Sequence, residues 1–152
     1  MATRFLDGAT AEENHQRFVR RAVEHEKVWT LAEGERILTA QSTAGDEDDA
    51  AGDSEPRAVY LFFSDEAYAR RAVRESWADR PDAAPKEIAL FDLLFRWLPG
   101  MHHNDQLAGT NWTGDLIGLE IEPADLQAEL KQALSEETRA RYQTRFAEVT
   151  RS

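Results

Sequence analysis

The chain has 152 residues, of which 41% are hydrophobic and 31% charged, and its 29 acidic and 18 basic side chains leave a net charge of −11. This is ordinary globular usage at the size of a single domain, and its negative potential repels phosphate backbones, which argues against nucleic acid as a partner. With no cysteine in the sequence, disulfides, thiolate metal sites and cysteine nucleophiles are excluded. The first residues contain no apolar core of the kind a secretory signal needs, and the most apolar stretch, 88–98, carries Asp92 and Arg96 and so cannot span a bilayer. The expected setting is the cytoplasm, away from membranes.

The first helix is expected over 11–26. Phe18, Val19, Ala22 and Val23 form one apolar stripe, and Thr10 with Glu13 offers a capping box. His15 lies on the same face and is expected to pack at the core margin; His25 falls at the helix end, where a cation suits the dipole. Strands at 27–31 and 36–40 follow, joined by a turn containing Gly34. Residues 41–56 differ in kind. They hold six acidic side chains between Asp46 and Glu55, no basic one before Arg57, and no large apolar residue. Such a run has nothing to bury and repels itself, so it is expected to be a flexible acidic insertion that carries over half of the net charge.

Residues 57–63 are apolar on both faces, as in a central strand covered on both sides. Val59, Leu61 and Phe63 are expected in the core with Trp77 or Leu94. Ser64 is expected to cap a helix over 65–77, in which Ala69, Val73 and Trp77 share a row. A connector at 79–85 and a short strand at 86–89 lead into an apolar helix at 90–98, stopped by Pro99 and Gly100. A polar loop at 101–105 precedes strands at 106–112 and 118–122. Pro123 starts a helix whose buried row is Leu126, Leu130 and Leu134. A last helix within 135–152, with Tyr142, Phe146 and Val149 at helical spacing, reads as a C-terminal extension. The order implies a single domain over 1–152 of the α+β class, with a mixed, largely antiparallel sheet of about five to six strands and helices packed on it.

Four segments together resemble the bacterial domain-of-unknown-function family 2750. They are Val28-Trp29-Thr30-Leu31, the run from Leu61-Phe62-Phe63-Ser64 through Ala69, Phe91 to Met101 with its Trp97-Leu98-Pro99-Gly100, and Gly109-Thr110-Asn111-Trp112 with Gly118 to Pro123 beyond. The resemblance spans roughly residues 14–134. Two features depart from it: Ser64 where the family usually has proline, and the long acidic insertion. The family implies a fold but no activity and no catalytic residues.

Several residues still invite a chemical reading. His102, His103, Asn104 and Asp105 hold imidazole and carboxylate ligands, but neighbouring histidines seldom reach one ion, and no helical His spacing supports them; no metal or other cofactor is expected. Glu120 and Glu122 share a strand face, either as paired carboxylates for acid–base work or as its polar side. No phosphate-binding glycine loop or nucleophile elbow occurs. Arg17, Arg20 and Arg21 on one helix and Arg70, Arg71 and Arg74 on another form either a local anion patch or pairs such as Glu66–Arg70 and Arg71–Glu75 on solvated faces. Trp97 and Trp112 flank the polar loop, so a cleft of Trp97, Pro99, Gly100, His102, His103, Asp105 and Trp112 is the expected binding site. These features favour a non-enzymatic module that binds another protein, a basic one if charge guides it, as an immunity or antitoxin protein would. The alternatives are a small-ligand binder or hydrolase using 102–105 with Glu120 and Glu122, and a structural protein joined through its last helix.

Overall fold

The computed structural model describes residues 8–42, 57–113 and 118–151. The acidic insertion lies outside them, except for its first residues, Gln41 and Ser42. Helix α1 (Gly8–His25) is followed by β1 (Lys27–Glu33), β2 (Arg36–Ile37), β3 (Thr39–Gln41) and β4 (Ala58–Phe62). After α2 (Glu66–Ser76) and β5 (Ala83–Ala89) comes a long helical stretch: α3 (Leu90–Asp92), a π-turn (Leu93–Trp97) and α4 (Leu98–His103). The chain then forms β6 (Leu107–Thr110), β7 (Glu120–Ile121), α5 (Pro123–Ala133) and α6 (Glu136–Arg151).

The fold is α+β, with the strands divided between two sheets of order β2-β1-β5 and β3-β4-β6-β7. All pairings are antiparallel except β4 with β6. The expected second strand breaks at Leu38. Before the break it pairs with β1, after it with β4, so one segment passes from sheet to sheet. The sheets also meet where Trp29 and Phe63 exchange two backbone hydrogen bonds of 2.9 and 2.7 Å, beside the bond from Thr30 Oγ1 to the Leu61 carbonyl (2.7 Å).

Strand β4 explains the layering. Val59, Leu61 and Phe63 are buried on one side with Leu31, Ala69, Ala72 and the partly buried Trp77. Phe62 on the other side joins Phe18, Leu94, Leu98, Leu126 and Leu130. The apolar run therefore serves two cores at once, and of the two expected partners Trp77 shares the core of Leu61 while Leu94 lies across the sheet.

Some expected boundaries move. Thr10 lies inside α1, which begins at Gly8, so it does not cap. Asp65, not Ser64, occupies the N-cap position of α2, and neither supplies a capping bond because both side chains are engaged elsewhere. Ser135 does cap, accepting the Thr138 N–H at 3.1 Å.

The largest departure is at Pro99, where the helix continues to His103 rather than stopping. Proline breaks an α-helix because it lacks an N–H and crowds the preceding turn. Here the turn widens first: the Leu98 N–H bonds to the Leu93 carbonyl, five residues back. The next rung would need a proton on Pro99. The Gln127 side-chain amide on α5 supplies the missing donor, reaching the Leu94 carbonyl at 2.8 Å.

Gln127→Met keeps the side-chain length and removes that donor. Leaving a buried carbonyl unmet costs about 1–3 kcal/mol, so denaturant melts should show a loss in this range. A change below about 0.5 kcal/mol would show that the helix passes Pro99 without help from α5.

Candidate binding sites

The residues expected to form one cleft disperse. Trp112 is buried, and its indole N–H donates to the Leu119 carbonyl at 2.8 Å. It lies over Gly109 and Gly118, where a Cβ on either glycine would collide with the indole. It is therefore a core side chain, and its glycines are there to admit it. Trp97 is half-buried and meets Tyr60 and Phe62 edge-on, with ring centroids 6.2 and 6.0 Å away. His102 and His103 occupy the last turn of α4 rather than a loop, and both are exposed. Gly100 is half-buried with open space around it.

Asp105 is exposed and pairs with Arg57 at 3.1 Å. Arg57 also holds Glu122 through both guanidinium nitrogens, at 2.8 and 2.9 Å. This hydrogen-bonded pairing keeps the Glu122 carboxyl below the usual carboxylate range, which suits an ion-pair partner and not a general acid. Glu120 accepts a hydrogen bond from Ser42. The two carboxylates are thus engaged by different partners. Among the described residues, no group of three or more His, Asp or Glu side chains gathers that could hold a metal ion.

A constellation that sequence reasoning missed lies beneath α1. His15 is 1% exposed and places Nδ1 2.8 Å from Thr110 Oγ1 and Nε2 2.7 Å from Glu129 Oε2. In the neutral imidazole, Nε2–H donates to the carboxylate and Nδ1 accepts the threonine proton. The order hydroxyl–imidazole–carboxylate matches that of a nucleophilic relay. Thr110 is itself 1% exposed, however, so no substrate reaches its hydroxyl. The relay instead ties α1, β6 and α5 together.

Beside it, Asn111 adopts a left-handed backbone with φ 48°, which asparagine tolerates better than most residues. Its side-chain oxygen accepts the Ser64 N–H at 2.8 Å, and its amide donates to Ser64 Oγ and the Asn14 carbonyl. Ser64 Oγ donates in turn to Asp65, whose carboxylate accepts two bonds from Arg21. Of the expected arginine pairs, Arg70–Glu66 closes at 2.6 Å and Arg71–Glu75 at 3.9 Å.

A mainly apolar cavity opens elsewhere. About 450 Å³ lies between the π-turn, α5 and α6, with an apolar lining of Phe95, Pro99, Leu134, Tyr142 and Phe146. Gln127, Lys131, Arg139 and Gln143 supply its polar groups. Pro99 is the one expected site residue among them. The Lys131 ammonium stands 5.3 Å from the centre of the Phe95 ring. Arg139 donates to the carbonyls of Lys131, Gln132 and Leu134, closing the end of α5 and fixing α6 against it.

Helix α6 is held by aromatic contacts and one clasp. Tyr142 meets Phe91 edge-on at 5.5 Å, and Phe146 lies 4.9 Å from Phe95 while remaining 41% exposed. The Tyr142 hydroxyl donates to Glu26 at 2.6 Å, and Arg141 adds bonds of 3.0 and 3.1 Å. The hydroxyl bond first, and Arg141 second, hold the Glu26 carboxyl below its ordinary value, while burial and the neighbouring carboxylate push the Tyr142 phenol well up.

The family model described as "Protein of unknown function (DUF2750)" matches residues 15–130. The chain belongs to this family. No curated protein and no solved structure matches it. The DUF2750 match takes in the π-turn, Gln127 and the His15–Thr110–Glu129 relay, whereas Lys131 and all of α6 fall beyond it. Among the described residues, no helix is long and apolar enough to cross a membrane.

The clasp makes α6 docking pH-dependent with a definite sign. Because the folded pKa of Glu26 is lowered, its stabilisation is full above the unfolded value of 4.5 and is lost as pH falls through the folded value. Denaturant melts of the wild type and Glu26→Gln should therefore differ at about pH 7 and converge only as pH falls well below 4.5. A gap that stays constant across that range would contradict the clasp.

Proposed function

We propose that this DUF2750 protein is a non-enzymatic binding module whose ligand is a small apolar carboxylate seated between the π-turn and α6. The observation that carries this reading is the cavity of about 450 Å³. It falls in the size range of small-molecule sites, roughly 300–1,000 Å³, and combines an apolar lining with a few convergent polar groups. Lys131 supplies a cation at the lining, and no carboxylate among the described residues lies within ion-pair distance of it. A π-turn is rare in general and frequent at functional sites, and here it carries Phe95 into the wall. Binding is favoured over catalysis because the one imidazole that, among the described residues, has both a hydroxyl and a carboxylate partner is closed to substrate.

A second reading, a basic protein partner as for an immunity or antitoxin protein, draws on a separate observation. The acidic insertion leaves and re-enters the fold at Ser42 and Arg57, which are joined backbone to backbone at 2.8 Å. Glu120, Glu122 and Asp105 stand at that same edge. The six acidic residues of the insertion are thereby tethered to an edge that carries three carboxylates and one arginine, a net negative charge that would steer a basic partner.

Calorimetric titration with octanoate and with octanol tests the first reading. Octanoate should bind one-to-one and about tenfold more tightly than octanol, and Lys131→Gln should erase that preference. An octanoate titration that does not saturate, or equal affinity for the alcohol, would overturn it.

A further inference from the structure

A second, polar cleft lies between α1 and α2, with a volume of about 240 Å³ and walls formed by Asn14, Arg17, Tyr68, Arg71 and Asn111. We infer that it is an anion site for a phosphoryl group, such as that of a small phosphate monoester. It is independent of the apolar pocket and shares no residue with it.

Two guanidinium groups from different helices reach this cleft in a chain whose net charge is −11. Arg17 makes its side-chain bond to a neutral group, donating to the Tyr68 hydroxyl at 2.8 Å, and no carboxylate among the described residues pairs with it. Tyr68 accepts that bond, which leaves its own proton for an incoming oxygen. The Arg71 guanidinium stacks over the Tyr68 ring at 5.6 Å. Its nearest carboxylate, Glu75, is 3.9 Å away, at the limit of an ion pair. A cation held by stacking and a long ion pair keeps donors free for a ligand.

The floor of the cleft is rigid for a separate reason. Asn111 is locked in its left-handed conformation by three side-chain bonds, to the Ser64 N–H, Ser64 Oγ and the Asn14 carbonyl. Asn14 and Asn111 therefore keep a fixed spacing, and behind them the buried His15–Thr110 bond ties α1 to β6. Non-glycine residues held in sparsely populated backbone regions concentrate at binding and active sites. Donors come from α1 on one side and α2 on the other, above this floor. That arrangement suits a tetrahedral head with three free oxygens better than a flat carboxylate with two.

The test is a titration of the intact protein with inorganic phosphate and, separately, acetate, both at constant ionic strength and followed by two-dimensional amide NMR. Phosphate should saturate one site and shift the amides around Asn14, Tyr68 and Asn111, while acetate should bind about tenfold more weakly. Arg17→Gln and Arg71→Gln should each weaken phosphate by about tenfold or more with the spectrum otherwise retained. Arg74→Gln, an exposed arginine of α2 outside this cleft, should leave binding unchanged. Failure to saturate, equal affinity for acetate, or an equal loss in Arg74→Gln would each overturn the proposal, the last by showing only diffuse attraction to surface cations.

Discussion

Pro99 has no amide proton, and much of the architecture around the larger cavity follows from that one missing donor. A regular α-helix through Leu94 and Pro99 would place the proline ring against the preceding turn and leave carbonyls unmet. Widening to a π-turn relieves the ring and leaves one rung, at the Leu94 carbonyl, without a backbone partner. Gln127 meets it, so α5 must lie where its second turn faces the π-turn. The same placement puts Phe95 and Pro99 opposite Lys131 and Leu134, and α6 closes the remaining side with Tyr142 and Phe146. The cavity is walled by the same helices that the backbone defect and its repair position.

On the far side of that helical layer, β4 divides the interior into two cores, and buried polar groups bind the layers where apolar packing alone leaves them free to slide. His15 joins α1 to β6 and α5, and Asn111 joins the end of β6 to α1 and to the start of α2. Among the described residues no buried side-chain nitrogen or oxygen lacks a partner. Satisfied polar networks of this kind select one packing over its near alternatives. They also explain how polar side chains can line a cleft between α1 and α2 without loosening it.

What was legible in the sequence was what depends on neighbours in the chain. The two-faced apolar run of β4, the buried Leu126–Leu130–Leu134 row of α5 and its C-cap, and the α+β order all rest on local periodicity, and they appear as expected. Pro99 misled because the stop rule assumes an α-helical rung, and its exception depends on a glutamine 33 residues from the carbonyl that it meets. The His15 relay was hidden for the same reason, with partners 95 and 114 residues away. Trp112 looked like a wall of a binding cleft because a tryptophan beside a polar segment often is one. Only in three dimensions do Gly109 and Gly118 come together beneath it and admit it to the core. The strand that changes sheets at Leu38 is likewise invisible to a period-two pattern, since both of its halves alternate normally.

The central claim is that the π-turn, α5 and α6 frame the ligand site, and that the exposed His102, His103 and Asp105 do not. An amide chemical-shift map of the full chain under octanoate titration tests it directly. Shifts should concentrate at 94–98, 127–134 and 142–146, with the amides of 102–105 and 120–122 unmoved. Shifts confined to 102–105 and 120–122 would contradict it and return the site to the carboxylates and histidines at the other edge of the molecule.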